Sequence, residues 1–116
     1  MKGRKTTMKL NEAIQLNEST GKLKDVAKVA TNMPDADFWV VRRGSEKNVG
    51  SVVEEYNPEH IGIKVTSSEI VPRFMYYAMM HLHNQGVWKR MATGTTNLVN
   101  IKAEDVRNVS LQEMGR

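Results

Sequence analysis

Between His60 and Gly86 the hydrophobic pattern changes its period, and that change constrains the fold more than any other feature of the chain. Ile61, Ile63 and Val65 alternate with Gly62, Lys64 and Thr66, the period of a strand that buries one face. Pro72 then suits a first helical position, because its missing N–H would go unpaired there anyway. Val71, Met75, Ala78, Met79 and Leu82 recur at the spacing of one helical face. Asn84, Gln85 and Gly86 weaken the helix, and Val87, Trp88 and Met91 restart a shorter one. A half-buried strand feeding an amphipathic helix points to sheet and helix packed on one core.

The flanking segments extend this pattern. Leu10, Ala13 and Ile14 are spaced for a short helical stripe, and NESTG at 17–21 breaks it. Lys22 to Ala30 reads as a second short helix with Leu23, Val26, Ala27 and Ala30 on one face. Pro34 and Asp35 mark a turn. FWVVRR at 38–43 and VGSVVEEY at 49–56 are rich in β-branched and aromatic residues and read as strands. With the alternating segment at 60–67 they suggest a three-stranded meander. TGTTN at 93–97 reads as a polar loop, LVNI at 98–101 as extended, and KAEDVRNV at 102–109 as a short helix with acids in its first turn. The expected class is α+β: a small antiparallel or mixed sheet with packed short helices. The expected organisation is a flexible basic arm at 1–8 followed by a single domain at 9–116.

Composition removes several classes of function. At 116 residues with 40% hydrophobic and 26% charged residues, the chain can bury a core and is neither collagen-like nor wholly disordered. No apolar run approaches the ~18 residues of a membrane span, and the basic start lacks the apolar stretch of a secretory signal. With no cysteine, disulfides, thiolate metal sites and a cysteine nucleophile are excluded, which fits a reducing cytoplasm. The net charge of +4 is uneven: residues 1–30 hold seven Lys/Arg against three acids, and residues 31–116 hold ten of each. A basic arm ahead of a neutral body suits contact with phosphates. It equally suits a solvated tail that aids solubility.

Catalytic and metal motifs are missing. His81 and His83 lie two apart, on different faces of a helix, whereas a helical zinc pair needs a spacing of four. Pro34-Asp35 would need an acid two residues before a lysine on a nearby strand to complete a nuclease metal site. Glu46 and Lys47 are adjacent, and no acid stands two before Lys64. Neither phosphate-loop motif occurs, and the serines show no nucleophile elbow. Glu54 and Glu55 alternate across a strand and so face opposite ways. No enzyme, metal or organic cofactor is expected. Met75, Met79 and Met80, with Phe74, Tyr76 and Tyr77, read as core packing, with part of the helix left for a partner.

One resemblance rests on the segment from Asp37 to Leu111, opened by KLKDVAKVA before it. FWVVRRG is a strand ending in basic residues and glycine. In HIGIKVTSSEIVPRFMYYAMMHL a strand leads through a proline turn into a helix. GTTNLVNIKAEDVRNVSL runs as loop, strand, helix and final strand. This order resembles the target recognition domain of the specificity subunits of type I restriction-modification enzymes. The chain lacks the long helices that separate two such domains in that family. It also carries Lys102 where the family has a Ser or Thr before the last short helix, so Asn100 is a candidate cap there.

The resemblance implies a domain that sits on double-stranded DNA and reads bases in its grooves. Arg42 and Arg43 stand at a strand end, where Arg can grip guanine O6 and N7 or clamp a phosphate; a solvated strand end is the other reading. Thr93, Gly94, Thr95, Thr96 and Asn97 form a loop dense in small hydrogen-bonding groups, suited to phosphates and base edges or to an ordinary polar connection. Lys47, Lys89 and Arg90 are candidate phosphate contacts. A module this small implies a homodimer or a larger assembly. A second function stays open, a protein-interaction module that docks on a restriction-modification or other nucleic-acid complex through the Met and Tyr helix.

Overall fold

The structure, a computed structural model, describes residues 21–114 apart from Thr96. The arm expected at 1–8 and the stripe at Leu10–Ile14 lie outside the described residues. Within these residues seven short strands, β1 (Ala27–Thr31), β2 (Phe38–Val40), β3 (Arg43–Gly44), β4 (Val52–Val53), β5 (Ile61–Val65), β6 (Thr93–Gly94) and β7 (Val99–Asn100), form two sheets. One has the order β1-β5-β2-β4 and the other β3-β7-β6. Every pairing is antiparallel. Among the described residues four α-helices accompany them: α1 (Pro72–Asn84), α2 (Val87–Met91), α3 (Ala103–Arg107) and α4 (Leu111–Met114). The class is α+β, as the sequence pattern predicts.

The alternation of β5 organises the larger sheet. Ile63 pairs with Val29 on one side and Phe38 on the other, and Ile61 pairs with Thr31 and Val40. Cross-strand partners share a face, so Val29, Phe38, Val40, Ile61 and Ile63 make one apolar surface, with the exposed Thr31 at its edge. It packs with Met75, Met79 and Leu82 of α1 and with Trp88 of α2 in a single core. Full burial of a side chain such as Ile61 or Ile63 stabilises by about 1.5–3 kcal/mol. Pro72 opens α1 as expected. Gly86 closes it in the left-handed conformation at φ 77°, which favours glycine. The Met and Tyr helix divides: Met75 and Met79 are fully buried, whereas Val71, Phe74 and Tyr77 are exposed.

The reverse face of the same sheet departs from the simple alternation. Gly62 alternates with the inward isoleucines, yet it too is buried. The turn at Met33–Ala36, closed by an Ala36 N–H to Met33 carbonyl bond of 3.3 Å, lies over it. A Cβ on Gly62 would stand 2.9 Å from Ala36 Cβ and 3.0 Å from Met33 Cε. Trp39, opposite Gly62, donates its indole N–H to the Met33 carbonyl at 2.9 Å, and the Tyr56 ring lies 5.8 Å from its own. Both faces of this sheet are therefore covered in its middle.

Five local expectations are corrected. Lys22–Ala30 is a 3₁₀ turn at Leu23–Asp25 followed by β1, not a helix. A nine-residue segment gains little from helix formation alone, and Ala27 and Val29 are buried while Lys28 is exposed, a strand period that β5 completes. The meander is absent because β2 lies between β4 and β5. FWVVRR is two strands, since the chain leaves the first sheet after Val40 and enters the second at Arg43. TGTTN is not all loop, because Thr93–Gly94 is β6. The final strand implied by the resemblance is only a bridge between Ser110 and Lys22, followed by α4. There Leu23 N–H donates to Val109 and Leu111 N–H to Gly21, so the first and last described segments run side by side.

Candidate nucleic-acid interface

The three-stranded sheet brings together residues far apart in sequence. Asn100 in the central strand pairs with Arg43 on one side and Thr93 on the other. In the next row Val99 pairs with Gly44 and Gly94. Val99 is buried and packs into the core. Successive residues on a strand point to opposite faces, so Arg43, Asn100 and Thr93 form a row on the outward face. Arg43 and Thr93 are exposed and Asn100 is half-buried. At the usual strand spacing the row spans about 10 Å.

The β6–β7 hairpin continues this face. Thr95 N–H donates to the Leu98 carbonyl at 3.1 Å, and Leu98 N–H donates to Thr95 Oγ1 at 3.3 Å. Gly94 lies at φ 130°, and a Cβ there would overlap the Leu98 carbonyl oxygen. Glycine is what lets the hairpin close. Thr95, Asn97 and Leu98 are exposed. Thr96 lies outside the described residues.

Arg42 takes a different course from Arg43. Its carbonyl accepts the Ile101 N–H at 3.0 Å, and its side chain turns to the loop at 57–60. Nε donates to the Glu59 carbonyl at 2.9 Å, and Nη2 lies 3.9 Å from Glu59 Oε1. Two hollows flank that loop. One, of about 460 Å³, is lined by Arg42, Glu59, Asn100 and Lys102 among others. The other, of about 420 Å³, is lined by Arg43, Asn57, Pro58, Glu59 and His60. Neighbouring guanidiniums thus border different hollows. Burial of His60 holds its pKa below the ordinary imidazole value, Glu59 opposing and Arg42 reinforcing the shift.

The remaining sequence candidates cluster at the far end of α1. Arg90 Nη1 donates to the Gln85 carbonyl at 3.0 Å, satisfying a helix-end acceptor. His83 Nε2 donates to the Lys47 carbonyl at 2.9 Å, pinning the turn that carries the exposed Lys47 side chain. Lys89 is exposed on α2. Sequence reasoning missed Leu98 and Lys102 as members of the site and gave Asn100 another role. Lys102 itself holds the N-cap position of α3 without a side-chain bond to the first turn, and the Asp105 carboxylate inside that turn accepts the Lys102 N–H at 3.3 Å. The parity of LVNI carries a usable signal: if Val99 faces in, Leu98 and Asn100 must face out.

Among the described residues no cluster of His, Asp and Glu could hold a metal ion, and no helix is long and apolar enough to cross a membrane. No family model, curated protein or solved structure matches the chain.

Proposed function

We propose that this chain is a non-enzymatic protein that binds double-stranded DNA through the outward face of the three-stranded sheet, as a cytoplasmic reading module of the target-recognition type. The observation that carries this is the row Arg43, Asn100 and Thr93, with the Thr95–Leu98 hairpin beside it. A guanidinium, an amide and hydroxyls on one outward face match the donors and acceptors of base edges and phosphates. Arg43 grips guanine or a phosphate, Thr93, Thr95 and Asn97 touch backbone or base edges, and Lys47, Lys89 and Lys102 add phosphate contacts. A single module of this size buries roughly 600–1,000 Å² on DNA, so binding as a homodimer or within a larger complex follows, with a repeated or palindromic site.

Selection from a random duplex library tests this directly. An enriched motif, bound with an affinity that falls steeply with salt, is the expected outcome. Binding without enrichment, or none, overturns it. The exposed Val71, Phe74 and Tyr77 on α1 favour a second reading, a protein-docking helix. That contact would be nearly insensitive to salt and would be lost in Tyr77→Ala but retained in Arg43→Ala.

A further inference from the structure

Asn100 on the outward face of β7 and Leu98 at the hairpin end just before it set an amide and an apolar side chain two residues apart, and their chemistry is complementary to one kind of base pair. Asn100 is flanked on both sides by strands, so its backbone is fixed by pairing to Arg43 and to Thr93. Its carboxamide has no hydrogen-bond partner among the described residues. Leu98 pairs with Thr95 at the hairpin end and shares the parity of Asn100. At 55% it is the most exposed large apolar side chain among the described residues. A lone exposed leucine is ordinary on a protein surface; what sets Leu98 apart is its place beside Thr95 and the row that holds Asn100 and Arg43.

We propose that Asn100 and Leu98 read A·T pairs in the major groove, next to the guanine or phosphate taken by Arg43. This rests on the DNA-binding reading above. An asparagine amide donates to adenine N7 and accepts from the adenine N6 amino group, a bidentate match that no other base edge offers. Thymine is the base that adds a methyl group to the same groove, and apolar side chains contact it. Residues two apart on a strand are separated by about 6.8 Å, close to two base-pair rises. Lying along the groove, β7 and the hairpin end that leads into it place the adenine and the thymine methyl about two base pairs apart. The major groove is about 12 Å wide and admits a two-stranded β-ribbon, the size of the β6–β7 hairpin.

The experiment modifies the DNA as well as the protein, so a variant that fails to fold does not decide it. A motif is first selected with the full chain from a random duplex library. Each adenine in it is then replaced by 7-deazaadenine, which lacks the N7 acceptor, and each thymine by uracil, which lacks the methyl. One deaza substitution should weaken binding of the parent roughly ten- to hundredfold, in line with a bidentate contact. One uracil substitution should weaken it about threefold to fourfold, the worth of one buried methyl-sized group. Asn100→Ala should bind the two adenine forms equally, and Leu98→Ala the two pyrimidine forms equally. If the parent yields a motif but tolerates every substitution, or if the variants keep the parent's preferences, Asn100 and Leu98 do not read bases and the inference falls while DNA binding stands. If the parent enriches no motif, the DNA-reading proposal falls and takes this inference with it.

Discussion

The two sheets are built from strands of two to five residues, yet they spend their side chains in opposite ways. In the middle of the four-stranded sheet both faces are covered. Phe38, Val40, Ile61 and Ile63 pack toward α1, and Trp39, Met33 and Gly62 close the other side. In the three-stranded sheet Val99 alone of the strand side chains is buried, and the outward row is Arg43, Asn100 and Thr93. Dense burial makes a sheet rigid and intolerant of volume changes. A sheet anchored by one valine between two glycines holds its outward side chains in register while leaving them free to be exchanged. Stability and recognition are thus assigned to different sheets, and substitutions should separate them.

The largest effect is expected where the core meets a glycine. Gly50 lies at φ 87°, and a Cβ there would overlap the indole of Trp88, which is fully buried. Gly50→Ala combines backbone strain with overpacking, together costing about 3 kcal/mol or more, a large share of a small domain's stability. Its urea midpoint should fall accordingly; a midpoint like the parent's would mean that Trp88 has room to move. Gly94→Ala meets a similar overlap with the Leu98 carbonyl, but in the thinner sheet. The expected stability loss is about 1–3 kcal/mol, with duplex binding lost beyond what unfolding explains. Equal damage to fold and binding would break the division of labour between the sheets.

The arginine pair sharpens the same contrast. Arg43→Ala should leave the urea midpoint within about 0.5 kcal/mol of the parent while lowering duplex affinity roughly tenfold to a hundredfold. Arg42→Ala should do the reverse. Its Nε bond to the Glu59 carbonyl is lost, worth about 0.5–1.5 kcal/mol of stability, and binding should fall less than in Arg43→Ala. Paired denaturation and anisotropy measurements distinguish the two, and equal binding losses would return Arg42 to the interface.

Elements that carried their own period were legible in the sequence. The alternation of Ile61, Ile63 and Val65 and the Pro72-to-Gly86 helix needed no partner to be read. What was not legible depends on contacts across the chain. Ala27 and Val29 fit a weak helical stripe until β5 is known to lie beside them. Gly62 looks solvent-facing until the Met33–Ala36 turn is laid over it. Arg42 and Arg43 read as one pair because sequence adjacency hides that one guanidinium is tied to Glu59 while the other residue stands in the row with Asn100 and Thr93. The place of Asn100 between Arg43 and Thr93 is a long-range pairing, for which a single sequence has no local signal.

The boundary between the sheets offers the smallest effect and a pH-dependent one. His60 begins β5's approach at the loop that also takes the Arg42 guanidinium, and its Nδ1 is buried without a partner among the described residues. Burial disfavours the imidazolium and Arg42 adds to this, whereas Glu59 works against it. The folded pKa therefore lies below the unfolded value of about 6.5. Between the two, the unfolded chain binds more protons than the folded one, so stability rises with pH. The contribution is fully present above the unfolded pKa and is lost as pH falls through the window down to the folded pKa. His60→Gln should flatten that slope in urea midpoints taken from pH 7.5 to 5.5, and Glu59→Gln, which removes the opposing carboxylate, should steepen it. A parent slope that survives His60→Gln would assign the titration to another group and leave the loop between the two hollows without a proton-linked role.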